Sequence, residues 1–417
     1  MTAPRPGLRP LDDALAELLD HALPLDGVET VSTFDADGRV LAQDLVSALQ
    51  VPPQDNSSMD GFAVRSGEVN GAGATLPVSQ RVPAGCAAQP LRVASVARIF
   101  TGAPIPEGAD AVVMQEDTEP AGEQGTEPAG EQYVRFLRVP APGQWIRRSG
   151  EDVLRGSVVL AKGARLAPAS CGLAASIGMD SLQVRRRARV ALFSTGDELV
   201  LPGEVAPERM KPGAIYNSNR FFMGNLLRRL GCDVTDYGIV PDRRDATIQA
   251  LKNASQAHDL VLTSGGVSVG EEDHIKPAVA QLGRLDFWQI AMKPGKPFAY
   301  GKVGAAHFIG LPGNPVSSFV TFLLLVRPFL LRLQGATDVL RRPLSMPAHF
   351  NWTRPDRRRE FLRVRRNADG GLDLFPNQSS GVLTSVVWGD GLVDNPAGCF
   401  IAHGDAVQFL SMAELIA

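Results

Sequence analysis

With 417 residues, 44% of them hydrophobic and 21% charged, the chain has a soluble globular composition and is too long for one hydrophobic core, so about two to four domains are expected. A formal net charge of -3 removes any overall electrostatic case for nucleic acid or an anionic membrane as partner. Cys86, Cys171, Cys232 and Cys399 are far apart, with no CxxC pair and no zinc spacing, which points to reduced thiols.

After "MTAPRPGLRP" come Asp12 and Asp13, where a signal sequence would need an apolar run. The longest apolar stretch, "FVTFLLLVRPFLL" at 319–331, is short for a membrane span and carries Arg327 and Pro328, so it is expected to be a core helix. Both points favour the cytoplasm.

Leu11, Leu15, Leu18, Leu19 and Ala22 recur with helical period, predicting an amphipathic helix over 10–22. From about residue 50 to 148 short apolar runs alternate with glycine and proline, as in "ARIFTGAPIPEGADAVVMQED", which reads as β-rich. Within it "TEPAGEQ" occurs at 118–124 and again at 126–132, the pattern of an exposed hairpin tip lengthened by duplication. Residues 150–180 are mixed.

"RVALFSTGDEL" then opens an alternation of strand and helix. Strands are expected at Val190–Phe193, Val234–Val240, Leu260–Thr263 and Phe308–Leu311, with helices at 220–230, 244–257, 273–282 and 315–334. Such alternation implies a mostly parallel sheet with helices on both faces, a three-layer α/β/α domain. Short strands such as "FLRVRRN" and "AVQFL" follow Gly335 and suggest a small β domain. The fold class is therefore α/β and multidomain, a central α/β domain flanked by β-rich ones.

Ligands of open parallel sheets bind outside the carboxyl ends of the strands. Four loops should meet there: "STGDEL" with Asp197 and Glu198, "VPD" with Asp242, "TSGGVSVGEEDH" at 263–274, and "GLPGNP" at 310–315. Gly265, Gly266 and Gly270 let backbone approach a ligand, and the following helix offers unpaired N–H groups. Neither GxGxxG nor GxxxxGK[ST] is present, so a phosphate cradle and a plain tight turn both remain open. Glu271 and Glu272 read as helix-start acids favoured by the macrodipole. Asp197, Glu198, Asp242 and Asp273 instead gather at one edge, and a divalent ion such as Mg²⁺ would reconcile them with phosphate. Lys293 and Lys296 in "MKPGKPFAYG" supply cations suited to meeting an anion.

These stretches resemble the MoeA-type molybdopterin molybdenumtransferases, bacterial counterparts of the gephyrin E domain, over essentially the whole chain. The resemblance rests on "PPQDNSSMDGFAV", "FTGAPIPEGADAVV", "RRSGEDV", "STGDEL", "IYNSN", "TSGGVSVGEEDHIK", "MKPGKPFAYG" and "GLPGNPVS", in that order. It implies that adenylylated molybdopterin and molybdate yield molybdenum cofactor and AMP with Mg²⁺, in a homodimer whose cleft is shared between subunits. Other proteins of cofactor biosynthesis are candidate partners. It also implies four domains: 1–50 with 149–182 for dimerisation, 51–148 β-rich, 183–335 binding molybdopterin, and a barrel-like 336–417.

By the same resemblance Asp60, Thr101, Asp152, Glu198, Asp242 and Asp273 are the catalytic candidates, with Glu198, Asp242 and Asp273 as metal ligands. Ser264, Gly265, Gly266, Ser268, Lys293, Lys296, Pro312 and Pro315 are candidates for substrate binding, joined by the looser matches Arg363 and Ser380. The alternatives are the adenylyltransferase of the preceding step, built on a similar α/β domain, and a scaffold of the gephyrin type. The segments flanking the central domain argue against the first, and the absence of a visible linker or partner-binding tail argues against the second.

Overall fold

The computed structural model describes residues 7–121, 132–241, 243–266 and 274–417. Two compact units emerge. One comprises Met1–Gln43, Lys162–Ala167 and Ser181–Ala417, the other Asp44–Ala161 and Pro168–Asp180.

In the first unit the predicted N-terminal helix runs Leu11–His21, with Asp12 and Asp13 in its first turn, His21 in its last, and Leu11, Ala14 and Leu18 buried. Its centre is a six-stranded sheet in the order 233–240, 189–195, 260–264, 306–311, 297–303, 283–289. The first four strands are parallel; the last two add on antiparallel. Leu260–Ser264 and Ala306–Leu311 are buried at every position, which is why they read as unbroken apolar runs.

Successive side chains of a strand face opposite ways, and each face has its own core. Val190, Leu192, Leu260, Leu262 and Ile309 pack with the helices Asn219–Arg229 and Pro315–Thr321. Ala191, Phe193, Val261 and Phe308 pack with Arg244–Ala257 and Ile275–Leu282. The expected three layers are thus present.

The helical stretch Pro315–Leu333 is 19 residues and apolar enough to span a membrane by length and composition, yet 89% of it is buried inside this unit. It contains one wide π turn, Phe322–Val326, just before Pro328. Proline has no N–H to offer the preceding turn, and a π turn re-routes the bonds around it. A second sheet in the same unit orders strands 292–293, 359–366, 391–395, 406–411 and 344–347.

The second unit holds a six-stranded sheet in the order 111–114, 61–64, 96–99, 75–82, 133–136, 118–121. Ala63, Ala97 and Val112 form a core on one side; Val64, Val96 and Val113 form another on the opposite side. The duplicated segment falls largely outside the described residues, but its first residues, Thr118–Ala121, pair antiparallel with Tyr133–Phe136, which follows it.

Candidate functional site

The four parallel strands end level with one another: Thr195 lies beside Val240, Ser194 beside Ser264, and Ser264 beside Leu311. From strand 189–195 the chain goes first to one side, to 233–240, and then to the other, to 260–264. That reversal opens a crevice at the carboxyl ends of 189–195 and 260–264, the place where such sheets bind ligands. "STGDEL" and "TSGG" are the two loops that leave those ends.

Close backbone approach builds the crevice. Gly265 has φ +89°, and a Cβ there would meet the Thr195 carbonyl oxygen at 2.8 Å. Its N–H donates to the Leu311 carbonyl at 3.1 Å, so at Gly265 the contribution is proximity and not a free donor. Asn219 ties the edge together, its Nδ2 donating to Ser264 Oγ at 2.8 Å and to the Gly313 carbonyl at 2.7 Å. Asn219 Oδ1, Ser194 Oγ, Thr195 Oγ1 and Thr263 Oγ1 are buried at this edge without a hydrogen-bond partner among the described residues. Such a run of unsatisfied buried polar atoms is costly in a finished core and is suited to a polar ligand.

Pro315 is at the start of its helix with Asn314 before it, and the Pro312 carbonyl accepts from Ser318 Oγ. The first free N–H of that helix, on Val316, donates to the Ser380 carbonyl at 2.9 Å. Arg363 is 1% exposed and donates to Ser385 Oγ, the Phe361 carbonyl and the Ser379 carbonyl. Burial pushes its guanidinium down to about 10, so it stays cationic at neutral pH. Arg363 and Ser380 are therefore joined through one loop to "GLPGNP".

Lys293 lies in a two-residue strand beside Arg359–Glu360. Its Nζ is 3.2 Å from Glu360 Oε1 and 3.5 Å from Asp356 Oδ2. The other Glu360 oxygen accepts from Trp352 Nε1 at 2.7 Å. The hydrogen bond from Arg358 holds the Asp356 carboxyl well below the usual carboxylate range. Lys293 thus arrives already paired, whereas Lys296 is exposed and has no carboxylate partner among the described residues.

Asp60, Thr101 and Asp152 belong to the second unit. Residues 51–57 run between the 101–105 and 146–153 segments and pair with both: Ser57 N donates to the Ala103 carbonyl, Ile146 pairs with Ser57, and Asp152 N donates to the Val51 carbonyl. Thr101 donates from both its backbone N–H and its hydroxyl to Asp60 Oδ1, each at 2.7 Å. The backbone bond, then the hydroxyl, hold the exposed Asp60 carboxyl below its ordinary value. Asp152 is exposed.

Asp242, Ser268 and Asp273 lie outside the described residues. Of the three expected metal ligands, Glu198 is exposed and its carboxylate lies over Gly196, where a Cβ would come within 2.5 Å of Oε2. A carboxylate oxygen at that loop is the donor type a hard cation takes. No group of three His, Cys, Asp or Glu side chains able to hold a metal occurs among the described residues. Asn219 and Glu360 were not among the expected site residues, although Asn219 sits in the quoted "IYNSN".

By fold and site, this is an α/β ligand-binding protein with its crevice at the sheet's switch point. Residues 9–178 match the MoeA N-terminal region (domain I and II), 191–332 a probable molybdopterin binding domain, and 345–412 the MoeA C-terminal region (domain IV). The molybdopterin molybdenumtransferase of Haemophilus influenzae is 43% identical over 82% of this chain and 80% of its own length. That of Synechococcus elongatus is 37% identical over 95% of this chain and 97% of its own. The crystal structure of a molybdopterin biosynthesis MoeA protein from Pyrococcus horikoshii superposes with a TM-score of 0.81 at 29% identity, covering 97% of this chain and 99% of that one. The chain belongs to the MoeA family of molybdopterin molybdenumtransferases and is an enzyme of molybdenum cofactor biosynthesis.

Proposed function

We propose that the enzyme inserts molybdate into adenylylated molybdopterin, releasing AMP and molybdenum cofactor. The observation that carries the reading is the crevice at Thr195 and Ser264–Gly265, lined by buried polar atoms that have no partner among the described residues. Ser264 Oγ, fixed by Asn219, orients the substrate there, and the exposed Lys296 attracts its phosphates. Pro312 and Pro315 shape the adjoining wall, and Arg363 holds the loop of Ser380 against it. Asp60, kept ionised by Thr101, acts as a fixed negative acceptor and not as a proton donor at neutral pH.

Magnesium, held by Glu198 with Asp242 and Asp273, would neutralise phosphate and molybdate oxygens when bound. We also assign Asp152 to the catalytic set, and Gly266 and Ser268 to substrate binding. A cytoplasmic homodimer, the four-domain division at residues 50, 148, 182 and 335, and contact with other proteins of cofactor biosynthesis belong to the same reading.

The test uses purified enzyme with adenylylated molybdopterin, molybdate and Mg²⁺, following AMP release and the activation of a cofactor-free molybdoenzyme. Both should appear, and chelation with EDTA should abolish them. Production of adenylylated molybdopterin from ATP, with no molybdate-dependent AMP release, would overturn the proposal.

A further inference from the structure

A cavity of about 270 Å³ lies in the first unit, lined among others by Pro24, Leu41, Lys162, Arg185, Arg332 and Thr337. Three of its side chains are cationic and none is a carboxylate. Arg332 Nε is buried with no hydrogen-bond partner among the described residues. Arg185 makes one long bond, from Nη1 to the Leu25 carbonyl at 3.4 Å, and Thr337 Oγ1 makes another to the Gly163 carbonyl at 3.4 Å. A guanidinium N–H withdrawn from water and left unpaired is expensive, and an anion in the cavity would satisfy it.

The neighbourhood is positive as well. Arg165 and Arg327 lie nearby in the chain and the packing, the latter donating to the Val339 carbonyl at 2.9 Å. Both are lowered, first by burial and then by Arg341, with Arg327 at about 10; Asp37 and Asp338 offset only part of this.

The cavity is remote from the crevice. Arg185 precedes the strand that ends at Thr195, and Arg332 is in the last turn of the helical stretch that begins at Pro315. At about 1.5 Å per residue that stretch is roughly 28 Å long. We propose that the cavity bounded by Lys162, Arg185 and Arg332 binds a small oxyanion, at a site separate from the crevice. Its volume is below the roughly 300–1,000 Å³ of pockets that enclose whole organic ligands, so the recognised group is a single phosphate-like tetrahedron. That tetrahedron is either a free ion or the terminal phosphate of a larger molecule left outside. Arginine's planar fork matches such an oxyanion in two-point contact, with Lys162 as a point charge.

Equilibrium dialysis of the full chain with radiolabelled orthophosphate tests this. Wild type should show saturable binding, weakened about tenfold or more in Arg332→Gln and in Lys162→Gln. Lys162 is exposed, so its variant should fold even where the arginine variant does not. Lys296→Ala should keep the binding, which separates this pocket from the crevice. Competition by AMP for the Arg332-dependent site identifies a phosphomonoester, and competition by molybdate but not AMP identifies a free oxyanion; either supports the pocket. Wild-type affinity in Arg332→Gln and Lys162→Gln, loss in Lys296→Ala alone, or no saturable binding overturns it.

Discussion

The carboxyl edge of the central sheet and the loop cluster of the second unit hold candidate residues in opposite ways. At the edge the chain is buried and crowded: Thr195 and Ser264 are nearly inaccessible, and Gly265 has no room for a methyl group. In the loop cluster Asp60, Thr101 and Asp152 are exposed and are held by hydrogen bonds, from the Thr101 N–H and hydroxyl to the Asp60 carboxylate and from the Asp152 N–H to the Val51 carbonyl. Position in the first region is inseparable from the fold, because the atoms that shape the crevice also close the core. In the second, an orienting bond is added to a surface whose core lies elsewhere. Substitutions should therefore couple stability to activity in one region and uncouple them in the other.

The largest effect is expected from Gly265→Ala. A left-handed backbone and a carbonyl at 2.8 Å from the new Cβ combine steric strain with local rearrangement. Urea unfolding should show a loss of about 3 kcal/mol or more, with activity lost in parallel. A variant of wild-type stability would break the contrast. Asp60→Ala should do the reverse, lowering AMP release about a hundredfold or more while the melting temperature moves by roughly 2 °C or less. Destabilisation as large as that of Gly265→Ala would show Asp60 to be structural.

Acid sharpens the contrast further. Buried His307 accepts or shares a proton with Tyr300 at 2.9 Å, and burial, then Lys302 and His21, push it down to about 4. The unfolded chain would bind a proton at its ordinary value near 6.5, so stability is complete above that pH and falls as pH drops toward 4. The loss is about 3 kcal/mol. Asp60 has the same sign in a lower window: its lowered carboxyl contributes stability that is complete above the ordinary carboxylate range and is lost as pH falls through its folded value, so it leaves the range from pH 7 to 4.5 to His307. Chemical denaturation between pH 7 and 4.5 should steepen for wild type and flatten in His307→Gln; equal slopes would remove His307 as the cause.

Much of this was legible in the chain. Unbroken apolar runs at 190–193, 260–263 and 308–311 announce strands buried on both faces, and the structure extends each by only a few residues. The antiparallel pair Gly283–Gln289 and Pro297–Val303 was not legible, because "KPFAYGKV" reads as a lysine loop until its partner strand is known. Asn219 stood inside a matching motif, but its role comes from partners 45 and 94 residues away. Lys293 read as an open cation for the same reason, since Glu360 is 67 residues further on. Local pattern yields the element; pairing across the fold decides what a side chain is free to do.

The smallest effect concerns the doubled "TEPAGEQ". Removing residues 119–126 joins Thr118 to Glu127 and restores the order Thr-Glu-Pro-Ala before Gly130, Glu131, Gln132 and Tyr133. The restored Thr-Glu-Pro-Ala has the sequence that pairs with Tyr133–Phe136 in the intact chain, Ala121 opposite Tyr133. Ala129 would then take that place, leaving a loop of about three residues that includes a glycine, a common hairpin length. Shortening a closed loop changes its entropy only logarithmically, so stability should hardly respond. Activity within about twofold of wild type and a melting shift of roughly 2 °C or less are expected. A large loss of stability or a change in oligomeric state would make the duplication part of an interface, and the second unit's surface would then be more tightly coupled to the fold than its exposed loops suggest.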